Sequence, residues 1–154
     1  MKPELRIRGH HLLCMYGFRG LGYSQAFIEN MRRVVDAFFA SEPTVVNLVE
    51  GGDDICSACP HLQDGECKKG EASHERLGSK DSLVLAALGL EARTRRTNAE
   101  IRSAISARIS PADIRRLCPG CYWLDLGYCE QGIAARNPLT AENAEHAEKT
   151  INQG

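Results

Sequence analysis

The residues of this chain best suited to chemistry are its seven cysteines, six of which fall into two matching sets. Cys56, Cys59 and Cys67 stand in C-S-A-C-P-H-L-Q-D-G-E-C; Cys118, Cys121 and Cys129 stand at the same spacing in C-P-G-C-Y-W-L-D-L-G-Y-C. Leu62 and Gly65 recur as Leu124 and Gly127, and beyond them Gly70 and Ala72 recur as Gly132 and Ala134. The common pattern, C-x2-C-x2-L-x2-G-x-C-x2-G-x-A, reads as an internal repeat. Two thiolates spaced x2 chelate one centre from a tight turn. The third joins them if the chain doubles back, and Gly65 and Gly127 suit such a turn because glycine accepts positive φ.

Each repeat therefore offers three thiolates, whereas a zinc site or a cubane cluster normally takes four protein ligands. The missing donors are sought in H-H-L-L-C, where Cys14 follows His10 and His11. On a helix His10 and Cys14 are i and i+4, His11 and Cys14 i and i+3, so either pair can share a face. His61 is a weaker candidate because Trp123 takes its place in the second repeat. His74 and His146 read as solvated. The cysteine count is odd and the opening M-K-P-E-L-R-I-R has no apolar signal segment, so ligands are favoured over disulfides and the expected compartment is the cytoplasm.

Spacing alone does not choose the metal. The usual ferredoxin run and the radical-initiating C-x3-C-x2-C are absent. Binuclear zinc–cysteine modules have similar halves, but adjacent ones with a basic stretch. Here the halves lie far apart, and the first is acidic, with Asp53, Asp54, Asp64 and Glu66. Apolar neighbours (Ile55, Leu117, Trp123) could shield a cluster or serve as core. Arginines 93, 95, 96, 102, 108, 115 and 116 make one segment locally basic, which allows a nucleic-acid surface but fits a solvated face better. No Walker loop, Rossmann glycine pattern or G-x-S-x-G is present.

The elements that must position these residues follow from periodicity. Alternation in residues 4–8 predicts a strand; His10 to Tyr16 a short helix; Thr44 to Val49 a second strand able to pair with the first. Ser24 caps a helix whose stripe is Phe27, Ile28, Met31, Val34, Val35, Phe38 and Phe39, ending before Pro43. Glu71 to Leu77 and a helix capped by Ser79 and stopped at Gly89 come next. Glu91 to Arg96 reads as a charged connector. The box Thr97–Glu100 and the pair Ser110-Pro111 open two more helices, and another runs from about Glu130 to Arg136.

The expected fold is α+β and mostly helical: a small two-stranded sheet plus two cysteine-rich metal-binding knuckles related by the repeat. A single metal- or cluster-binding domain is expected over 1–138 and a polar tail over 139–154. The chain has 154 residues, 43% hydrophobic and 25% charged, with a net charge of −1, which fits one soluble domain and gives no general pull toward nucleic acid or anionic membranes.

Arg8 to Ser24 (R-G-H-H-L-L-C-M-Y-G-F-R-G-L-G-Y-S), Asp53 to Pro60 and Cys118 to Cys129 resemble the blocks of a bacterial and archaeal family, domain of unknown function 1284. The resemblance covers roughly residues 4–136. It implies an iron–sulfur-binding protein with no established reaction. With it, the expected cofactor is an iron–sulfur cluster, 4Fe–4S in type, one or two per chain, with zinc as the alternative. The expected ligands are Cys14, Cys56, Cys59, Cys67, Cys118, Cys121 and Cys129, with His10 or His11 completing a site or transferring protons. The expected partner is a redox protein or a small-molecule substrate.

Overall fold

The computed structural model describes residues 4–20, 24–59, 62–63, 66–67, 73–117 and 127–136. Strand β1 (Leu5–Arg8) runs without a connecting residue into helix α1 (Gly9–Cys14), which tightens into a 3₁₀ turn at Met15–Gly17. Helix α2 (Gln25–Phe39) follows, opened by the Ser24 hydroxyl, which accepts from the Phe27 N–H at 3.1 Å. Its buried stripe is Phe27, Met31, Val34, Val35 and Phe38, and the backbone turns extended at Ala40.

Strand β2 (Val45–Val49) pairs in parallel with β1, Leu5 opposite Val46 and Arg8 opposite Val49. Ile7, Val46 and Leu48 from this pair are essentially inaccessible to water. The sheet has three strands rather than the expected two. Residues Arg95–Thr97 form β5, antiparallel to β2 with Val45 opposite Thr97. The segment reads as a connector because Arg95 and Arg96 are both exposed, so neither face carries an apolar alternation. Long-range pairing decides it: Leu48 N–H donates to Thr94 O and Arg93 N–H to Leu48 O. A second, two-residue ribbon pairs β3 (Leu62–Gln63) with β4 (Glu66–Cys67).

Helix α3 (Ser73–Leu88) is continuous, where Gly78-Ser79 reads as a break. It ends as expected at Gly89, φ +71°, with Leu90 N–H returning to Leu85 O at 2.9 Å. Thr97 caps α4 (Asn98–Arg108) by accepting from Glu100 N–H. Helices α5 (Pro111–Leu117) and α6 (Tyr128–Ala135) complete the described elements, so the fold is α+β and mostly helical. Among them no helix is long and apolar enough to cross a membrane. The proposed tail, 139–154, lies outside the described residues.

One wholly buried polar side chain ties the layers together. Asn98 Oδ1 accepts from Thr44 N–H just before β2, and its amide donates toward Phe38 O in the last turn of α2 and toward Ala40 O and Glu42 O beyond it. The carbonyls of a last helical turn have no partner within their own helix, so at Phe38 Asn98 supplies what the α2 terminus lacks. It also fixes where β2 begins, and so where the loop after β2 arrives.

Candidate functional site

Two buried carboxylates organise the end of β1. The first comes from α3. Gly9 opens α1 against Asp81 so closely that a Cβ there would lie 2.4 Å from Asp81 O. This contact sets the Asp81 carboxylate under the first turn of α1. Oδ1 accepts from the His10 N–H at 2.9 Å and meets His10 Nδ1 at 2.6 Å, and Oδ2 accepts from Arg8 Nε at 2.8 Å.

The second comes from the loop after β2. That loop runs beside β1, which is an edge strand, and meets its hydrogen-bonding groups. Asp54 N–H donates to Arg6 O; Arg6 N–H donates to Asp54 Oδ2 at 2.8 Å; Arg8 N–H donates to Asp53 Oδ2 at 2.9 Å. From α2, Asn30 pins the loop by donating to Asp54 O at 2.7 Å. Asp53 then turns the chain: Oδ1 accepts from Cys56 N–H at 3.0 Å, and its carbonyl accepts from Ser57 N–H. The result is the 3₁₀ turn Cys56–Ala58, which Cys59 N–H closes onto Cys56 O.

Asp53 also holds His11, whose Nδ1 lies 2.8 Å from Oδ2. A donor atom from each of His11, Asp53 and Cys56 lies within 4.8 Å of the others. Asp53 already accepts from Arg8, His11 and Cys56, so its part is to hold the other two. An ionised carboxylate only accepts, so His11 Nδ1 bears the proton and Nε2 is left for a ligand, the carboxylate–histidine arrangement common behind metal sites. The His10 ring sits 4.4 Å from that of His11 and is fixed in the same way by Asp81.

Electrostatics keep this arrangement neutral at the His10 imidazole and charged at its carboxylates. Burial, then the neighbouring His11, brings His10 down to about 4; the pull of Asp81 is offset by Arg8 beside it. Burial pushes the Asp53 carboxyl up, but His11 and the two backbone donors outweigh it and hold it at about 2. Asp81 is likewise held low, its contacts with His10 and Arg8 outweighing burial. Cys56 is pushed up to about 12 by burial and then by the Asp53 charge, so without a cation its thiol keeps its proton.

An acid sensitivity follows. His10 binds its proton less readily folded than unfolded, so its contribution is complete above the ordinary histidine pKa and is lost as pH falls to about 4. The shift corresponds to roughly 3 kcal/mol, with Asp53 adding its own loss nearer pH 2. Urea midpoints of metal-depleted protein should fall between pH 7 and pH 4.5, and less so in His10→Gln. Equal midpoints at the two pH values would refute the assignment.

The expected ligands are distributed as follows. Cys56 and Cys59 are half-buried on the 3₁₀ turn. Cys67 lies in β4 with its backbone opposite Leu62, so the chain does double back after Cys59. Cys14, half-buried, ends α1, and Cys129, buried, is in the first turn of α6. Cys129 Sγ meets the Met15–Gly17 turn, where a Cβ on Gly17 would come within 2.6 Å of it. Cys118, Cys121, His61, Trp123 and His146 lie outside the described residues. The corresponding cysteines Cys67 and Cys129 differ locally, one in a strand and one in a helix, although Gly127 does take a positive φ of +75°. A separate cavity of about 540 Å³ is lined by residues including Tyr16, Arg102, Ser106 and Arg136, and by none of the described cysteines.

A family model described as a protein of unknown function, DUF1284, matches residues 22–127. The chain belongs to that family. The match takes in the Asp53–Cys67 loop and hairpin, α3 and most of the second cysteine set. The DUF1284 model begins after the His10–Cys14 helix, so the histidines are tied to the family region through Asp53 and Asp81. No curated protein and no solved structure matches the chain.

Sequence reasoning missed Asp53, Asp81 and Arg8 as site residues. The available signal was chemical: two adjacent histidines at a strand end need acceptors, and the pair Asp53-Asp54 stands one residue before Cys56.

Proposed function

We propose that Cys56, Cys59 and Cys67, with His11 beside them, hold a metal centre, and that this centre is an iron–sulfur cluster of the 4Fe–4S type serving electron transfer or chemistry at an iron left without a thiolate. The observation that carries the reading is the placement of His11 and Cys56 on opposite sides of one buried carboxylate, at the mouth of a C-x2-C turn. Three thiolates and an imidazole form a soft donor set that suits iron–sulfur or zinc and not magnesium or calcium. When bound, the cluster would supply a reversible one-electron store or a Lewis acid. The protein's own part is to orient His11 through Asp53, to present the sulfurs from a turn fixed at both ends, and to keep water out with Ile55 and the buried end of β1. A second set, Cys118, Cys121 and Cys129 with Cys14, would complete a second centre.

Zinc is the second reading, and one observation favours it. Donor atoms within 4.8 Å of one another can share a single ion with bonds of about 2.0–2.3 Å, whereas ligands of a cubane sit on separate irons. As a nucleic-acid module the zinc form has less support. Arg93 pairs with Glu50, Arg95 with Glu4 and Arg115 with Glu130, acids from other elements, and Arg116 pairs with Asp113 of its own helix, so the basic segment is largely offset.

Anaerobic purification followed by iron, sulfide and zinc analysis with a visible spectrum decides between the metals. The expected product is brown, with acid-labile sulfide; a colourless, sulfide-free, zinc-loaded protein would overturn the cluster. Cys56→Ser and Cys59→Ser should each abolish loading of the first centre. Cys14→Ser should leave that centre and remove the second; unchanged total metal in Cys14→Ser would refute its ligand role.

A further inference from the structure

We propose that Arg8 is a built-in donor to the metal-bound sulfur of Cys56, a positioning residue that tunes the centre in addition to pairing with Asp81. The inference rests on the metal-centre reading above. Arg8 is among the most buried large side chains in the protein, only 1% exposed. Asp81 takes its Nε at 2.8 Å, and the guanidinium is planar, so this one bond fixes the directions of the remaining N–H groups. Nη2 is enclosed and has no hydrogen-bond partner among the described residues. Arg8 and Cys56 are neighbours across one carboxylate, the Arg8 N–H donating to Asp53 Oδ2 and the Cys56 N–H to Asp53 Oδ1, and the Arg8 charge acts on the Cys56 thiol.

A charged donor sealed from water without an acceptor is costly. Pairing with Asp81 alone does not explain it, since that role needs one N–H and Nε performs it. A neutral thiol is a weak acceptor, but a metal-bound thiolate is a full one. Loading the centre therefore converts Cys56 into the acceptor that the fixed fork lacks. A positive donor at this sulfur stabilises the more negative state of the centre. It should favour the reduced form of a cluster, and it should strengthen the hold on a zinc ion by stabilising the thiolate.

The test uses the full-length, metal-loaded protein with two variants. Arg8→Lys keeps a charge near Asp81 but loses the fork. The pair Arg8→Met with Asp81→Asn removes both charges, so no buried carboxylate is left uncompensated. Reduction potentials measured by optical titration should fall in both, by about 59 mV for a tenfold loss of preference for the one-electron-reduced form. In wild-type protein carrying ¹⁵N-labelled arginine, pulsed EPR of the reduced cluster should show coupling to a guanidinium nitrogen, a readout that needs no variant to fold. Metal and sulfide analysis of the wild type tests the cluster independently of Arg8. If it finds zinc, the same variants are read by chelator competition, with about tenfold weaker binding expected. Potentials or affinities equal to wild type in folded variants, or no nitrogen coupling in the reduced cluster, would overturn the role of Arg8.

Discussion

Replacing Asp53 with alanine should cost the protein its metal and much of its stability at once, and Asp53→Asn should pull those two effects apart. Asp53 is 4% exposed and accepts from the Arg8 N–H, the Cys56 N–H and His11. Alanine leaves both backbone donors enclosed with no acceptor. At about 1–3 kcal/mol for each unmade bond, with His11 loosened as well, the loss is roughly 3–5 kcal/mol. That is a large share of what holds a domain of this size together. Asparagine has nearly the same shape and keeps one oxygen for a backbone donor, so its stability loss should be about half as great. Its amide cannot accept from both sides, and it carries no charge to fix the Nδ1 proton of His11. Metal affinity should therefore fall about 10–100-fold in Asp53→Asn, the usual cost of losing the carboxylate behind a ligating histidine. Urea unfolding of the metal-depleted forms and metal stoichiometry of the loaded forms measure the two effects separately. If Asp53→Asn bound metal as wild type does, Asp53 would be only a clamp on the loop.

The same residue shows what the sequence could and could not convey. Caps are local, and they read correctly: Ser24, Thr97 and Gly89 act within a few residues of themselves. Strands β1 and β2 and the α2 stripe carry enough apolar periodicity to be legible. The edge strand β5 is not, because exposed arginines carry no alternation and its identity comes from β2. Gly78-Ser79 reads as a break because glycine lowers helix propensity, yet the rest of α3 is strong enough to run through it.

The site divides along the same line. Cysteine spacing is a local pattern and stands out in the sequence. The groups that set the chemistry around Cys56 are contacts over distance: Asp53 meets His11 across 42 positions and Asp81 meets His10 across 71. An aspartate in a polar loop and another in the middle of a helix look like ordinary solvated acids until the fold buries them. The histidines could be singled out because they are adjacent and close to a cysteine. Their division of labour could not, since it depends on which carboxylate each one reaches.

Gly132→Ala should destabilise the protein by roughly 3 kcal/mol, against the direction that helix propensity gives. In an exposed helix interior, alanine in place of glycine gains about 1 kcal/mol. Gly132 is buried in α6, and a Cβ there would lie 1.7 Å from Tyr16 O and 2.5 Å from the Tyr16 carbonyl carbon. Both are backbone atoms, so no side chain can swing aside. The helix must move off the Met15–Gly17 turn. That movement also opens the neighbouring contact, where Cys129 Sγ sits against Gly17. Overpacking of this kind commonly costs about 1–3 kcal/mol, and a clash with rigid backbone on both sides belongs at the upper end. Gly78→Ala is the matched control: it lies within α3, a Cβ there meets nothing within 4 Å, and it should stabilise by about 1 kcal/mol. For a domain of this length each kcal/mol moves the melting temperature by about 2–4 °C, so the two variants should lie on opposite sides of wild type and roughly 10 °C or more apart. The contact also bears on the second set of thiols, because Cys129 is carried by α6. Gly132→Ala should lower metal content at that set while leaving loading through Cys56 and Cys59 intact. A variant as stable as wild type would mean that α6 does not pack on the turn as described.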